Sequence, residues 1–459
     1  MPPTLCENID FEPSAAMLAD ALDAFAGLGD AGGGVVEPGA RRVALRAYRA
    51  FGRERNLPAR WRHDYAALSL NGLQWSTGRM RVPALPPYRA ARGDAAAREA
   101  SDAPALAAEN AGGLVHLGST YLEPHRHLGD PRVTLTSLAD AYRSRAATVR
   151  AVHGRIVAAT SDRFTALATA FQNCGAFIDV PSNVQLDAPL QVVWSARPGE
   201  PQAVFPHTVV RLGAYARAVV LERHLGSSEA FVDGIVEVEL DEGARLDYVV
   251  VQEADDGTRL FFTRAARCAP GATIGWHVAD LGGALVRENA RARLSGDGAA
   301  AELNVFFFAH GFGHVDSYAE VEHAAPRTRS QTIVRSAATG RGQGRFTGNI
   351  RVDAGAHEAD ASMRDDALVL SRDAHIDATP ALEIAAHDVK AFHAATVGSL
   401  DEEQLFYVQA RGVARGRAER MIALAFFEPA IARFPGEALR DEIRTALDTR
   451  LDEIPETFS

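Results

Sequence analysis

Across residues 175–397 the chain is a succession of short β-rich runs, and glycine–alanine pairs close several of them at near-constant spacing. The pairs are Gly213-Ala214, Gly243-Ala244, Gly271-Ala272, Gly298-Ala299 and Gly355-Ala356. Successive gaps are 30, 28, 27 and 57 residues, the last close to two units of the others. Between them lie runs such as LQVVWSA, HTVVRL, GIVEVEL, LDYVVVQ and ELNVFFFA. These alternate or stay apolar over strand-like lengths. A repeat of roughly 20–50 residues marks a solenoid. Each coil must turn corners where only small residues fit, and glycine reaches the backbone angles such corners need. A sandwich also has many short strands but has no reason to keep this spacing. The pattern therefore predicts a mainly β protein with a β-helix (β-solenoid) core.

The flanks carry a different period. Residues 15–26, 40–53 and 95–110 are helical candidates, with an extended linker at Pro83, Pro86 and Pro87. Residues 116–130 read as a polar loop, although His125 and His127 form an H-x-H pair able to chelate metal from one strand face. Residues 138–171 read as one long helical stretch. After Gly398 the period is helical again. Ser399-Leu400-Asp401-Glu402 fits a capping box with Ser399 as N-cap, and further helices are predicted over 415–433 and 437–452. The expected organisation is a mostly helical region with a linker over 1–170, a β-helix core over 171–398 and a helical docking domain over 399–459.

Composition removes several function classes. A net charge of −11 gives no electrostatic case for nucleic acid or an anionic membrane. Cys6, Cys174 and Cys268 are too widely spaced for a zinc motif or a disulfide framework, which suits a reducing, cytoplasmic setting. No secretion signal is read at the N-terminus, and no apolar run approaches the ~20 residues of a membrane span. Lys390 is the sole lysine, so no Walker loop exists. The run from Gly340 to Arg345 fails the dinucleotide fingerprint because Arg345 stands where the third glycine belongs; it reads as a turn between strands. Neither G-x-S-x-G nor H-E-x-x-H occurs. The acids Asp401, Glu402 and Glu403 are accounted for by the helix dipole, without a catalytic role.

Histidines are scattered through the β region: His277, His310, His314, His323, His357, His375, His387 and His393. Most read as surface residues. His393 stands apart within the small, apolar run AFHAATVG. On a strand, His387, Val389, Ala391 and His393 share a face, with the two imidazoles roughly 20 Å apart at ~3.3 Å per residue. That is too far for one metal ion. A site at His393 then needs ligands from another strand or another subunit; a merely packed side chain is the alternative on spacing alone.

The stretch PALEIAAHDVKAFHAATVGSLDEEQLFYVQARGV strongly resembles the SufB/SufD family of iron–sulfur cluster assembly proteins, and its SufD branch in particular. GRFTGNIRVDAGAHEADASMRDDALVLSRDAHIDATP and ALATAFQNCGAFIDVPSNVQLDAPLQVVW resemble other parts of the same family. The resemblance covers about residues 165–427. It implies a right-handed parallel β-helix with α-helical N-terminal and C-terminal segments. It also implies a cytoplasmic scaffold subunit of the SUF complex, without catalytic activity of its own, acting with a SufB-like subunit and a SufC-like ABC ATPase. The family histidine falls on His393, implied to hold iron or cluster at the SufB interface. No cofactor is implied to be held stably by this chain alone; a transient iron–sulfur cluster is expected at that interface. The C-terminal helices, beginning with Asp401, Glu402, Glu403, Gln404, Phe406 and Tyr407, are the surface that SufC is expected to grip, and a homodimer is the expected state of the isolated chain. Two departures matter. The family cysteine before the histidine is Ala391, so no thiolate comes from that position, and the first aspartate of the D-D-V motif is His387.

Two other functions compete with the scaffold. A β-helix enzyme acting on polysaccharide needs clustered acids or bases in a groove and commonly an export signal. A stand-alone metal-binding protein would use the histidines directly.

Overall fold

Parallel strands stacked in register, one per coil on each of two faces, make up most of the molecule. The computed structural model describes residues 38–50, 74–75, 112–118, 120–126, 130–195, 202–225 and 230–452. In chain order the elements begin with helix α1 (Pro38–Ala50), strands β1 (Gln74–Trp75), β2 (Gly112–Leu117), β3 (Thr120–Arg126) and β4 (Thr134–Ser137), and helices α2 (Leu138–Val152) and α3 (Arg163–Phe171). Then come β5 (Cys174–Val180), β6 (Leu190–Ser195), β7 (Gln202–Val204), β8 (Pro206–Leu212), β9 (Arg217–Leu225), β10 (Ala230–Leu240), β11 (Arg245–Gln252) and β12 (Arg259–Cys268). The solenoid continues through β13 (Thr273–Asp280), β14 (Leu285–Leu294), β15 (Ala300–Ala309), β16 (His314–His323), β17 (Arg329–Ala338), β18 (Gln343–Val352), β19 (Ala359–Val369), β20 (His375–Ile384) and β21 (Val389–Ser399). Helices α4 (Glu402–Gln409), α5 (Arg415–Ile431) and α6 (Glu437–Asp452) follow.

One sheet runs β20-β18-β16-β14-β12-β10-β8-β5-β4 and the other β21-β19-β17-β15-β13-β11-β9-β6-β2-β3. The expected parallel β-solenoid is borne out, with about seven turns. Its lumen is apolar and continuous, from Ile178 and Val192 through Tyr248, Trp276 and Phe307 to Ile350 and Met363. At the N-terminal end the parallel order gives way to antiparallel pairing, β4 on β5 and β3 on β2. At the other end β20 and β21 each pair on one side only.

The corner leading from the first sheet to the second explains the repeat. Its pivot has positive φ in every coil but the last: Asn183, Tyr215, Gly243, Gly271, Gly298, Arg327 and Glu358. Each pivot amide donates to a carbonyl of the neighbouring coil, as in Gly243 to Pro270 (2.9 Å), Gly271 to Asp297 (2.9 Å) and Arg327 to His357 (2.8 Å). Glycine fills three consecutive pivots, and these are three of the five pairs that the sequence displays. The 57-residue gap is the coil whose corner is Arg327-Thr328. Gly213 and Gly355 belong to such corners, but Tyr215 and Glu358 carry the positive φ there.

The N-terminal flank differs from expectation at two places. Part of 116–130, read as a polar loop, forms the β2–β3 hairpin, and His116 is buried with its ring stacked on Trp194 at 4.1 Å. The single helix expected over 138–171 is two helices. The Glu237 carboxylate accepts the amides of Gly154 (2.5 Å), Ile156 (2.7 Å) and Val157 (2.8 Å), so this stretch satisfies its amides outside a helix. Gly154, with φ of 70°, turns the chain out of α2. The helical candidates at 15–26 and 95–110 and the proline linker at 83–87 lie outside the described residues, as does His127.

A cluster of charged side chains interrupts the apolar lumen around Glu222. The Glu222 carboxylate accepts from Arg264 Nη2 (3.0 Å) and the Tyr248 hydroxyl, and hydrogen-bonds His224 Nε2 (2.5 Å). Arg264 also pairs with Glu288, and all five side chains are buried. Burial pushes the Glu222 carboxyl up, but the Arg264 charge and the His224 and Tyr248 hydrogen bonds outweigh it and hold it down at about 2. Arg264 therefore neutralises two buried carboxylates.

Two stability measurements follow from this architecture. Nothing lies within 4 Å of a Cβ added at Gly298 or at Gly355, so their backbones alone distinguish them. In denaturant titration Gly298→Ala should lose about 1 kcal/mol, because alanine is strained at positive φ. Gly355→Ala should be neutral or slightly stabilising. Arg264→Met strands Glu222 and Glu288 in the core and should cost about 3–5 kcal/mol; a loss under about 1 kcal/mol would show that the guanidinium does not hold this cluster together.

Candidate functional site

The open end of the solenoid is formed by the last coil. Strand register places β21 against β19, with Ala361 opposite Ala391, Met363 opposite His393 and Asp365 opposite Ala395. Paired residues of a parallel ladder face the same side. Val389 and Ala391 pack against the lumen core, so His393, two residues on, faces the lumen side of the same coil. Among the described residues no strand pairs beyond β21, and the imidazole is exposed. His387 is outside the strand, in the exposed bend before Val389, so the expected four-residue face holds only from Val389 onward.

This end leaves two kinds of surface unsatisfied. The outer edges of β20 and β21 carry backbone donors and acceptors that no described strand pairs. Ile384, Phe392 and Val397 are also exposed, Phe392 at 61%. Pro380 lies within β20, where a missing amide is tolerated because the strand is an edge.

Beneath His393 the lumen floor is specific. A Cβ on Gly348 would meet the Met363 sulfur at 2.2 Å, so glycine there is what admits Met363. Asp365, one lumen position further along β19, is fully buried, and neither carboxylate oxygen has a hydrogen-bond partner. Burial, with the Asp366 charge beside it, pushes its carboxyl up to about 7 against the pull of Arg335. Its neighbour Asp366 is instead paired with Arg335 (3.0 Å) and Arg364 (2.7 Å).

The second candidate surface begins three residues after β21. Its N-cap is Asp401, which accepts the amides of Glu403 (2.9 Å) and Gln404 (3.4 Å). The expected N-cap at Ser399 is corrected: pairing of Ser399 with Val369 keeps it in the strand. Leu405 is the buried anchor of α4, whereas Glu403, Gln404, Phe406 and Tyr407 are exposed. Arg415 ties α4 to α5 through Glu402 (3.0 Å) and Glu419 (2.8 Å). Asp401, Glu403, Gln404 and Tyr407 line an open groove with Val408 and Ile422.

Helices α5 and α6 are fixed to the solenoid. Phe427, Ile431, Phe434, Ile443 and Leu447 pack with Phe306, Phe308 and Leu368 of the second sheet. Phe306 meets Phe427 at 5.4 Å and Phe434 at 5.7 Å between ring centres, and Asn304 Nδ2 donates to the Ala430 carbonyl at 2.9 Å. His393 and α4 are thus two surfaces on one rigid frame, separated by about 20 Å of strand at ~3.3 Å per residue.

Besides the buried Glu222–Arg264–Glu288 group, two sets of polar residues escaped the sequence reading. Asp365 is one. The other is a chain running Tyr142 hydroxyl to His153 Nδ1 (2.5 Å), His153 Nε2 to His207 Nδ1 (3.2 Å), and His207 Nε2 to Glu237 (2.9 Å), which staples the 153–157 turn to the first sheet. Cys174 and Cys268 are free and buried, with burial pushing the Cys268 thiol up to about 12. Among the described residues no group of three or more His, Cys, Asp or Glu is placed to hold a metal ion, and no helix is long and apolar enough to cross a membrane.

Comparison with known proteins fits this geometry. The family model for the SufBD core domain of SUF-system iron–sulfur cluster assembly matches residues 194–426, just over half of the chain, and the SufBD N-terminal region model matches residues 119–192. An iron–sulfur cluster assembly SufBD family protein of Mycobacterium bovis is 30% identical over 300 residues, covering 64% of this chain and 75% of that protein. A protein of the same description from Mycobacterium leprae is 30% identical over 264 residues, 57% of this chain but 30% of its own length. One from Staphylococcus saprophyticus is 26% identical over 332 residues, 69% of each. The chain belongs to the SufBD family of iron–sulfur cluster assembly proteins.

Proposed function

We propose that this chain is a SufD-like scaffold subunit, not itself a catalyst, working in the cytoplasm with a SufB-like subunit and a SufC-like ABC ATPase. The open terminal coil carries the proposal. In that one coil it presents two unpaired strand edges, exposed Ile384, Phe392 and Val397, and the His393 imidazole. A partner solenoid that continues both sheets would satisfy the backbone edges and cover the apolar side chains together.

In this arrangement His393 stands at the join between two subunits and offers one nitrogen ligand to iron or to a transient cluster. Ala391 contributes no thiolate, and the two described cysteines are buried thiols, so sulfur ligands come from the partner. That division of ligands favours the SufD-like over the SufB-like role. In the absence of a SufB-like partner the same open end would pair with a second copy of this chain.

The groove on α4 serves the ATPase. Phe406 and Tyr407 are exposed at 73% and 60% on a helix with one buried side chain. Aromatic side chains of this kind are common anchors of protein interfaces. Because α5 and the turn after it bury Phe427 and Phe434 on the second sheet, force applied at α4 reaches the solenoid through a packed contact.

Removing the helices whole would uncover that apolar sheet face, so point changes test the docking surface more cleanly. The Phe406→Ala, Tyr407→Ala double variant should melt like the parent yet weaken ATPase binding by about 2 kcal/mol or more in pull-down or titration; undiminished binding would remove α4 from the interface. His393→Ala alters an exposed side chain and should leave folding intact. In the reconstituted three-subunit complex it should lower cluster yield, followed by visible absorbance, by about tenfold or more. An unchanged yield would exclude His393 as a ligand.

A further inference from the structure

Asp365 is an ionisable group without an evident reason to be where it is. It sits in the lumen of the last closed coil, wholly buried, with both oxygens unpartnered. A lone carboxylate in such a place is strongly disfavoured unless it takes a proton or a cation. The nearest acid, Asp366, already has two arginines, so the local cations are committed elsewhere.

The surroundings distinguish these alternatives. Register sets Asp365 opposite Val334 on β17 and Ala395 on β21. Its diagonal neighbours on the lumen face of β17 are Thr332 and Ser336, whose hydroxyl oxygens are also buried and unpartnered. Its diagonal neighbour on β21 is His393. The Asp365 and His393 Cα atoms lie roughly 8 Å apart by strand geometry. An aspartate and a histidine bridge that spacing through one ion at ligand distances of ~2.0–2.2 Å. Carboxylate, imidazole and hydroxyl oxygen form a donor set suited to a divalent first-row metal ion such as ferrous iron. Access is from the open end, on the side where His393 is exposed.

We propose that Asp365 is a metal ligand at the mouth of the solenoid, acting with His393 to hold one divalent first-row cation, with Thr332, which is level with His393 in the register, as a supporting oxygen. This rests on His393 being a ligand, and it adds a ligand from within the same chain. The isolated subunit then holds the ion before any partner closes the end.

The test is Co2+ titration of the full chain, read by visible absorption and by the shift in melting temperature. The parent should bind one equivalent and melt higher with the metal. Asp365→Asn, which keeps the shape and removes the charge, should bind at least ~10-fold more weakly, and without metal it should be as stable as the parent or more so. His393→Ala should weaken binding similarly, while Asp377→Asn on the exposed β20 should not. Equal Co2+ affinity of Asp365→Asn and the parent would overturn the proposal and assign a proton to the carboxyl. If His393→Ala alone loses binding, the Asp365 assignment fails and the role of His393 stands. A parent chain that binds no Co2+ also overturns it.

Discussion

The backbone ladder between coils is the interaction on which everything else depends. Every strand from β8 to β19 has a parallel neighbour on each side, so its amides and carbonyls are satisfied by adjacent coils. Corners join in, because each positive-φ pivot donates to the coil beyond it. Such a stack has no internal reason to stop. At the N-terminal end, antiparallel β4 and β3 end the parallel order. At the C-terminal end the chain leaves β21 for α4 and folds back along the second sheet, leaving the last rung open. The asymmetry of the two ends turns a repetitive structure into one with a direction and a docking face.

Much of this was legible in the sequence, for a physical reason. Only certain residues tolerate a positive-φ corner in a parallel coil, and glycine at Gly243, Gly271 and Gly298 made the period visible. The period faded where Asn183, Tyr215, Arg327 and Glu358 hold the same conformation without glycine. The long helix expected over 138–171 failed for a reason outside its own sequence. Glu237, on a distant strand, draws the turn amides to itself. Ser399 looked like a cap because its local pattern is correct, but pairing with Val369 outweighed that preference.

The candidate site was less legible. His393 stood out by its surroundings and by family resemblance, not by any chemical spacing. Asp365 could not be found from sequence, since its isolation depends on which of two adjacent aspartates faces inward. Register decides this: Asp366 meets Arg335 and Arg364, and Asp365 meets Val334 and Ala395. The buried Glu222–Arg264–Glu288 group was equally invisible, since its partners lie on different strands. In both places the solenoid brings inward-facing residues of separate coils into contact that no local motif records.

The central claim is that the open coil is where this subunit meets its partner. Hydrogen–deuterium exchange resolves it directly, by comparing the chain alone with the chain bound to a SufB-like subunit. The account predicts fast exchange along the outer edges of β20 and β21 in the free chain and marked protection of both in the complex. Protection that appears only elsewhere, with the β20 and β21 edges exchanging as fast as before, would contradict it.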